Sequence, residues 1–221
     1  MGAWTELIAA DGHRLTAWRA EPVAERRGGL VVLPEIFGVN GHMRGVADGF
    51  AALGYEALVP ALFDRAERGI ELGYGPADVE RGRTLRAGIP IDRVLADMAA
   101  AVAALKPPVG AVGYCWGGSL AWLAALRLPV GVAVGYYGGQ IVQFLDEMPK
   151  VPVLLHFGDR DAGIPLADVE RIRAAHPAVP IHLYPAGHGF NCDQRRDYDA
   201  ASARLAGERT LAFLALNLKR G

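Results

Sequence analysis

Short apolar runs alternate with longer amphipathic segments along most of the chain. The apolar runs are rich in Val, Leu and Ala, which is typical of strands that a sheet buries on both faces. These predicted strands are 30–33, 56–59, 109–112, 130–135, 153–157 and 181–184. Before them, residues 4–9 and 15–19 flank Asp11-Gly12, a turn signal that predicts an antiparallel hairpin.

Between the apolar runs, hydrophobic residues recur at helical spacing. The predicted helices are 43–53, 77–87, 91–105, 119–126, 166–175 and 199–218. In the last helix the expected inward-facing anchors are Leu205, Leu211, Phe213 and Leu214. Strands that alternate with helices predict an α/β fold, in which helices cover both faces of a mostly parallel, twisted sheet. The segment 61–90 is less regular and rich in charge, and its length predicts a functional cover over a site.

The composition limits the class of protein. The chain has 221 residues, of which 52% are hydrophobic and 21% charged, and this predicts one soluble domain over residues 1–221. A net charge of −1 gives no electrostatic reason to expect nucleic acid or an anionic membrane as a partner. No apolar run reaches the roughly 18 residues of a membrane span, and the first residues lack a signal-peptide pattern. We therefore expect a cytoplasmic, monomeric protein with a small-molecule substrate.

Cys115 occupies an abrupt turn between a predicted strand and a predicted helix. It lies in Gly113-Tyr114-Cys115-Trp116-Gly117-Gly118, where glycines let the strand and the helix approach closely. Free N–H groups and the dipole at a helix N-terminus favour a thiolate, which is a nucleophile. A buried structural cysteine is the alternative interpretation. The other cysteine is Cys192, and the pair forms neither a disulfide framework nor a metal or redox motif, so we expect no metal and no cofactor.

Four chemically functional side chains lie just after predicted strands, in chain order Glu35, Cys115, Asp161 and His188. In open α/β sheets, sites form beyond the carboxyl ends of the strands, so these side chains are expected to lie together. The chain order of nucleophile, acid and histidine is that of a hydrolase triad. His188 would accept the thiol proton, and Asp161 would orient the ring and stabilise the imidazolium. Asp159 is the neighbouring acid, and either aspartate could instead cap the helix that follows.

The segment Pro34-Glu35-Ile36-Phe37 also bears on this chemistry. Covalent acyl transfer needs hydrogen-bond donors for the developing oxyanion. The backbone N–H of Trp116, just after the cysteine, is one predicted donor, and the N–H of Ile36 is the other. A carboxylate at position 35, beside apolar Ile36 and Phe37, would be unfavourable without a role, although a surface acid is the alternative interpretation.

Six segments carry a family resemblance that runs collinearly along the chain. They are Pro-Glu-Ile-Phe-Gly-Val-Asn at 34–40, Gly-Tyr-Cys-Trp-Gly-Gly at 113–118, Ala-Val-Gly-Tyr-Tyr-Gly at 133–138, Phe-Gly-Asp-Arg-Asp at 157–161, Ala-Gly-His-Gly-Phe at 186–190 and Gly-Glu-Arg-Thr-Leu at 207–211. They resemble the dienelactone hydrolases, or carboxymethylenebutenolidases, and a cysteine where most α/β-hydrolases carry serine makes the resemblance specific. It implies an α/β-hydrolase fold, a triad of Cys115, His188 and Asp161, and hydrolysis of dienelactone to maleylacetate or of a close analogue.

The resemblance also implies that Glu35 acts as a switch. In that family the thiol stays neutral and turned away until substrate binding displaces the glutamate, which then accepts the thiol proton. Cys115 would accordingly be inert at rest and activated by its own substrate. Tyr137 and Phe37 are expected to contact that substrate.

The family binds an anionic lactone through arginines. Glu80-Arg81-Gly82-Arg83 resembles one such segment, which makes Arg83 a candidate ligand of the substrate carboxylate; a solvated helix charge is the alternative. The second family arginine follows the histidine in a His-Ser-Phe-Ala-Arg pattern. This chain has Cys192 there, which is interpreted as a packing residue or a bystander. Arg195 and Arg196 lie three and four residues further on and leave the recognition of the carboxylate open.

Three other functions remain open from the sequence. A broad carboxylesterase of the same family would use the same chemistry. A glutamine amidotransferase also has a Gly-x-Cys-x-Gly turn and a histidine. In those enzymes a Glu follows two residues after the histidine, whereas this chain has Phe190 at that position. A non-enzymatic or redox thiol protein would leave Glu35, Asp161 and His188 unexplained and would lack a resolving cysteine at close spacing.

Overall fold

A mixed eight-stranded sheet forms the centre of the molecule in the computed structural model, which describes residues 2–218. Met1 and residues 219–221, which the predicted domain 1–221 includes, lie outside the described residues. The strands are β1 Ala3–Ile8, β2 Arg14–Ala20, β3 Gly28–Leu33, β4 Tyr55–Pro60, β5 Val109–Tyr114, β6 Ala133–Tyr136, β7 Val153–Gly158 and β8 Ile181–Tyr184. Their order across the sheet is β1-β2-β4-β3-β5-β6-β7-β8. The pairs β1–β2 and β2–β4 are antiparallel, and the other pairs are parallel.

Within the described residues, six α-helices connect and cover the strands. They are α1 Gly41–Ala52, α2 Pro76–Ala87, α3 Ile91–Ala103, α4 Trp116–Arg127, α5 Leu166–Ala175 and α6 Ala200–Asn217. Every residue of β3, β4, β5 and β7 is buried, and because successive side chains on a strand point to opposite faces, both faces of the sheet are covered. The predicted α/β class is confirmed, including its N-terminal antiparallel hairpin. Residues 2–218 contain no helix with the length and hydropathy of a membrane span.

The strand predicted at 130–135 is wrong by three residues at its start. The structure begins β6 at Ala133, because the Val130 N–H donates to Leu128 O at 2.9 Å in a local turn. Apolar residues alone could not show this, since the turn and the strand are equally hydrophobic. Two short 3-10 helices, Leu62–Arg65 and Ile141–Gln143, were not predicted either.

The predicted inward anchors of the last helix are partly wrong. Leu214 is buried, Leu211 and Phe213 are half-buried, and Leu205 is exposed. The buried positions of α6 are Ser202, Ala206, Thr210 and Leu214, which recur every four residues. A polar residue is tolerated on this face because Thr210 Oγ1 lies 2.6 Å from the hydroxyl of Tyr136 and forms a hydrogen bond with it.

The loops after β3, β5, β7 and β8 meet at one edge of the sheet. These strands run parallel, so their carboxyl ends lie side by side. The residues that follow them are Glu35, Cys115, Asp161 and His188, in that strand order. Tyr137 follows β6 between them. The fold therefore brings the sequence-predicted site residues to one edge.

The segment 61–90 docks against the loop that carries Glu35. The Leu72 N–H donates to Phe37 O at 2.9 Å. Helix α2 then approaches the same loop closely at Gly82, where an added Cβ would lie 2.0 Å from Ile36 O. Only glycine fits at that distance. The segment thus covers the edge of the sheet where the predicted site lies, as its length had indicated.

Candidate active site

Cys115 lies in a strained turn between β5 and α4. Its backbone has φ 55° and ψ −113°, a conformation that costs a non-glycine residue about 1–3 kcal/mol. The Cys115 N–H donates to Tyr136 O at 3.0 Å, and its carbonyl accepts the Gly118 N–H at 3.0 Å. Because that second bond already closes a helical turn, α4 begins at Trp116, and the predicted start at residue 119 is wrong.

Gly117 lets α4 lie directly against β3. A Cβ added there would be 2.0 Å from Leu33 O and 2.7 Å from Pro34 O. Any side chain would push the first turn of α4 away from the sheet and displace the nucleophile turn with it. The close approach that the glycines of this turn predicted is therefore present.

His188 connects the other two members of the predicted triad. Its Nδ1 lies 2.7 Å from Asp161 Oδ2, and its Nε2 lies 3.1 Å from Cys115 Sγ. The second carboxylate oxygen, Asp161 Oδ1, accepts the Gly163 N–H at 2.8 Å, so both oxygens of this buried group are satisfied. Asp159, the alternative acid, is exposed to solvent and takes no part in this chain of hydrogen bonds.

The surroundings of His188 favour its protonated form. Burial alone lowers the pKa of the ring, but the negative charge at Cys115 and the hydrogen bond to Asp161 outweigh burial and raise the pKa of His188 from 6.5 to about 10. The ring of His188 is therefore expected to carry a positive charge. An imidazolium within 3.1 Å of Cys115 Sγ can stabilise a thiolate, the reactive form of a cysteine nucleophile.

Glu35 is buried and pairs with Arg195. Its Oε1 accepts a hydrogen bond from Arg195 Nη1 at 2.9 Å, while Oε2 has no partner among the described residues. Burial lowers the pKa of Arg195, but the charges at Glu35 and Cys115 raise it above its ordinary value. The arrangement differs from the resting one that the resemblance implies, in which the thiol is turned away. Here Cys115 Sγ lies 3.1 Å from His188 Nε2, and the carboxylate of Glu35 pairs with Arg195.

The two predicted oxyanion donors are backbone N–H groups without a hydrogen-bond acceptor among the described residues. The N–H groups of Trp116 and Ile36 donate to no residue within 2–218. Trp116 is the first residue of α4, where an N–H has no partner inside the helix. Its ring stacks on Phe63 with centroids 5.4 Å apart, which fixes this end of the helix. Both residues line the same pocket as Cys115.

That pocket, which we call the site pocket, has a volume of about 420 Å³. Its size is typical of sites for small molecules. Helix α2 contributes Val79, Arg83 and Arg86, which are spaced by four and three residues and so lie on one helix face. Neither arginine has an ion-pair partner among the described residues. Arg86 was not predicted as a site residue, although its spacing of three residues from Arg83 indicates the same helix face.

The remaining predicted substrate contacts also line the site pocket. Phe37 lies beneath Arg195, whose guanidinium carbon is 5.6 Å from the centre of the Phe37 ring. Tyr137 is fully buried with φ 39°, and its ring centre is 5.2 Å from that of His188. Of the two arginines that the sequence left open, Arg195 lines the pocket and Arg196 does not.

Cys192 lies outside the site pocket and is fully buried, as its interpretation as a packing residue requires. Burial raises the pKa of its thiol. Its sulfur lies within 4.8 Å of donor atoms of His42 and Asp193, a set of side chains that could hold a metal ion. In this structure His42 Nδ1 is 3.2 Å from Asp193 Oδ1, so these two groups bind one another.

Comparison with known proteins places this chain in a family. Residues 15–218 match the description of the dienelactone hydrolase family. The carboxymethylenebutenolidase of Pseudomonas putida is 36% identical over 220 residues, which cover 93% of this chain and 92% of that protein. The chain belongs to the dienelactone hydrolase family. The carboxymethylenebutenolidase of Pseudomonas knackmussii shows the same identity and coverage.

Solved structures support the same assignment. A Klebsiella pneumoniae protein provisionally named a dienelactone hydrolase superposes with a TM-score of 0.85 at 29% identity, over 97% of this chain and 99% of that one. The fold is accordingly the α/β-hydrolase fold expected from the sequence. As a member of the dienelactone hydrolase family, the chain is an enzyme that hydrolyses carboxylic esters or lactones.

The contacts of His188 with Cys115 and Asp161 predict an unusual titration of its ring. Its ring should remain protonated at pH 8 and lose its proton near pH 10, because the raised pKa preserves the ion pair below that value. In Cys115→Ala the pKa should fall, since the negative sulfur is gone. Nitrogen NMR of the histidine rings, assigned with His188→Gln, measures both. The buried ring of His156, whose burial lowers its pKa to about 3, is the internal control and should stay neutral. A His188 ring that is already neutral at pH 8 would contradict the raised pKa.

Proposed function

We propose that the enzyme hydrolyses a carboxylic ester or lactone through an acyl-thioester on Cys115. Dienelactone, converted to maleylacetate, is the specific substrate that the family suggests, or a close analogue of it. The observation that carries the proposal is the continuous path from Cys115 Sγ through His188 to Asp161, at 3.1 and 2.7 Å. That path supplies a nucleophile, a proton carrier and an orienting carboxylate.

In the first half of the reaction, the thiolate of Cys115 attacks the carbonyl carbon. A C–S bond forms, and the electron pair of the carbonyl moves to its oxygen, which accepts hydrogen bonds from the N–H groups of Trp116 and Ile36. Losing one such donor typically costs about 10²–10³ in rate. When the intermediate collapses, the C–O bond to the leaving group breaks, and the imidazolium of His188 donates its proton to the departing oxygen.

In the second half, water releases the acyl group. Neutral His188 now accepts a proton from water through Nε2, and the water oxygen attacks the thioester carbonyl. Collapse of this intermediate breaks the C–S bond, releases the carboxylic acid and leaves the thiolate beside the imidazolium. Asp161 holds Nδ1 throughout and so keeps Nε2 aimed at the reacting atoms.

Arginines make an anionic substrate the favoured choice. Arg83, Arg86 and Arg195 all line the site pocket. Charge-assisted hydrogen bonds from guanidinium groups are well suited to a carboxylate. A substrate carboxylate would compete with Glu35 for Arg195 and leave Glu35 without its partner, which supports Glu35 as the group that couples substrate binding to the state of Cys115.

Two alternative functions have less support. A glutamine amidotransferase of the considered pattern would need a carboxylate at position 190, and Phe190 there is fully buried against Tyr137 and Tyr184. A redox thiol pair is disfavoured because Cys115 and Cys192 are both free and Cys192 lies outside the site pocket. A broad carboxylesterase remains the near alternative, since it needs the same triad.

Replacement of the nucleophile should abolish hydrolysis. Cys115→Ala is expected to lower kcat/KM for p-nitrophenyl esters and for dienelactone by at least about 10³, because only the oxyanion donors and binding remain. The matched control is Cys192→Ala, which removes the other cysteine of the chain and should keep kcat within about threefold. Release of p-nitrophenol and loss of dienelactone absorbance measure the rates. Undiminished hydrolysis by Cys115→Ala would remove cysteine from the mechanism.

Arg83 should select for charge in the substrate. Arg83→Met is expected to raise KM for dienelactone about tenfold and to leave KM for neutral esters unchanged, since it removes one charge-assisted contact. Arg81→Met is the matched control on the same helix, where Arg81 pairs with Glu67 outside the site pocket. Steady-state kinetics measure KM for dienelactone and for a neutral ester in both variants. An equal rise in KM for neutral esters would show that Arg83 has no specific role toward a carboxylate.

A further inference from the structure

A second cavity opens beside the site pocket, beyond the first turn of α4. We call it the side chamber; it has a volume of about 280 Å³. It shares Arg86, Trp116, Ser119 and Gln140 with the site pocket, so the two spaces adjoin at these residues. The Gln140 N–H donates to Ser119 Oγ at 3.0 Å, which fixes the loop after β6 to α4 at the junction.

The walls of the side chamber are mainly apolar. Its inner surface comes from Val94 of α3 and from Leu120 and Leu123 of α4, all of which are buried. Ile89 and Phe144 close two further sides. Three of its four polar members, Arg86, Ser119 and Gln140, also line the site pocket, and the fourth, Gln143, is exposed to solvent. No acidic residue of the described chain lines the chamber. Such a surface binds hydrocarbon in preference to water or to a second charged group.

The position of Trp116 relates the side chamber to the proposed chemistry. Its N–H is a proposed oxyanion donor, and the residue lines both spaces. A carbonyl carbon held beside that N–H carries two substituents, an acyl chain and an alkoxy group. One of them can face the arginines of the site pocket while the other enters the side chamber.

We infer that the side chamber binds an apolar arm of the substrate, so that the preferred ester or lactone is larger than dienelactone. This inference rests on the proposed hydrolysis at Cys115 and adds its substrate class. A small lactone acid needs no more than the site pocket, which alone measures about 420 Å³. A group the size of water occupies about 30 Å³, so the side chamber has room for an alkyl chain of several carbons or for one aryl ring.

Chain-length series of neutral esters test this inference. In the wild type, kcat/KM should rise about threefold with each methylene from acetyl to hexanoyl esters, or from methyl to hexyl alcohols, because each methylene leaves water. A rise in either series supports the side chamber and shows which substituent it takes. Flat profiles in both series, with measurable hydrolysis of the short esters, would overturn it.

Ala87 offers a way to fill the side chamber without touching the catalytic groups. It is the exposed last residue of α2 and lines the chamber. Ala87→Trp should flatten the chain-length profile and leave acetyl esters unaffected. The control is Ala175→Trp, at the exposed last residue of α5, which lines neither cavity and should keep the wild-type profile. Equal profiles for the two variants would contradict a role for the side chamber.

Failure of the proposed function would be visible separately, as absence of ester hydrolysis by the wild type. Calorimetric binding of hexanoate and acetate then tests the side chamber without catalysis. Hexanoate should bind at least tenfold more tightly than acetate to the wild type and to Ala175→Trp, and the preference should disappear in Ala87→Trp. Equal affinities for the two acids would overturn the inference.

Discussion

The strained backbone of Cys115 is the constraint on which the site depends. The turn directs the sulfur toward His188 and at the same time presents the N–H of Trp116, at the first position of α4, to the same pocket. It persists because its own N–H and carbonyl are bonded and because Gly117 lets α4 press against Leu33 O of β3. The surrounding sheet stabilises a conformation that an isolated chain would avoid. Fold and chemistry are therefore linked at a single residue.

Two ionic pairs lie at the site pocket, and each contributes one lining residue, His188 or Arg195. In the proposed mechanism, His188 and Asp161 hold and orient the proton that moves. We propose that a substrate carboxylate competes with Glu35 for Arg195, with which Glu35 pairs in this structure. Since both pairs are largely buried, a change in one is felt electrostatically by the other; Cys115 contributes to the raised pKa of both His188 and Arg195. The proposed mechanism therefore allows a charge on the substrate to influence Cys115 without direct contact.

The triad and the sheet were predictable from sequence because both follow local rules. Cys115, Asp161 and His188 each lie just beyond a short apolar run, and parallel strands bring such positions together. The role of Arg195 could not be assigned from sequence. Its guanidinium lies against Gly189, and this contact depends on the turn at that glycine, whose φ is 77°. The exposure of Leu205 was missed for a related reason. The face of α6 that meets the sheet includes Thr210, which forms a hydrogen bond with Tyr136. Hydrophobic spacing does not reveal such a tertiary contact.

In the proposed mechanism, the acyl group passes through the sulfur of Cys115. Rapid acid quenching during the first turnover of a p-nitrophenyl ester, followed by mass spectrometry of the digested protein, tests it most directly, because thioesters survive acid. The account predicts a transient mass increase equal to the acyl group on the peptide that contains Cys115, with none on the peptide that contains Cys192. Release of p-nitrophenol while the peptide of Cys115 stays free of acyl group at every quench time would contradict it.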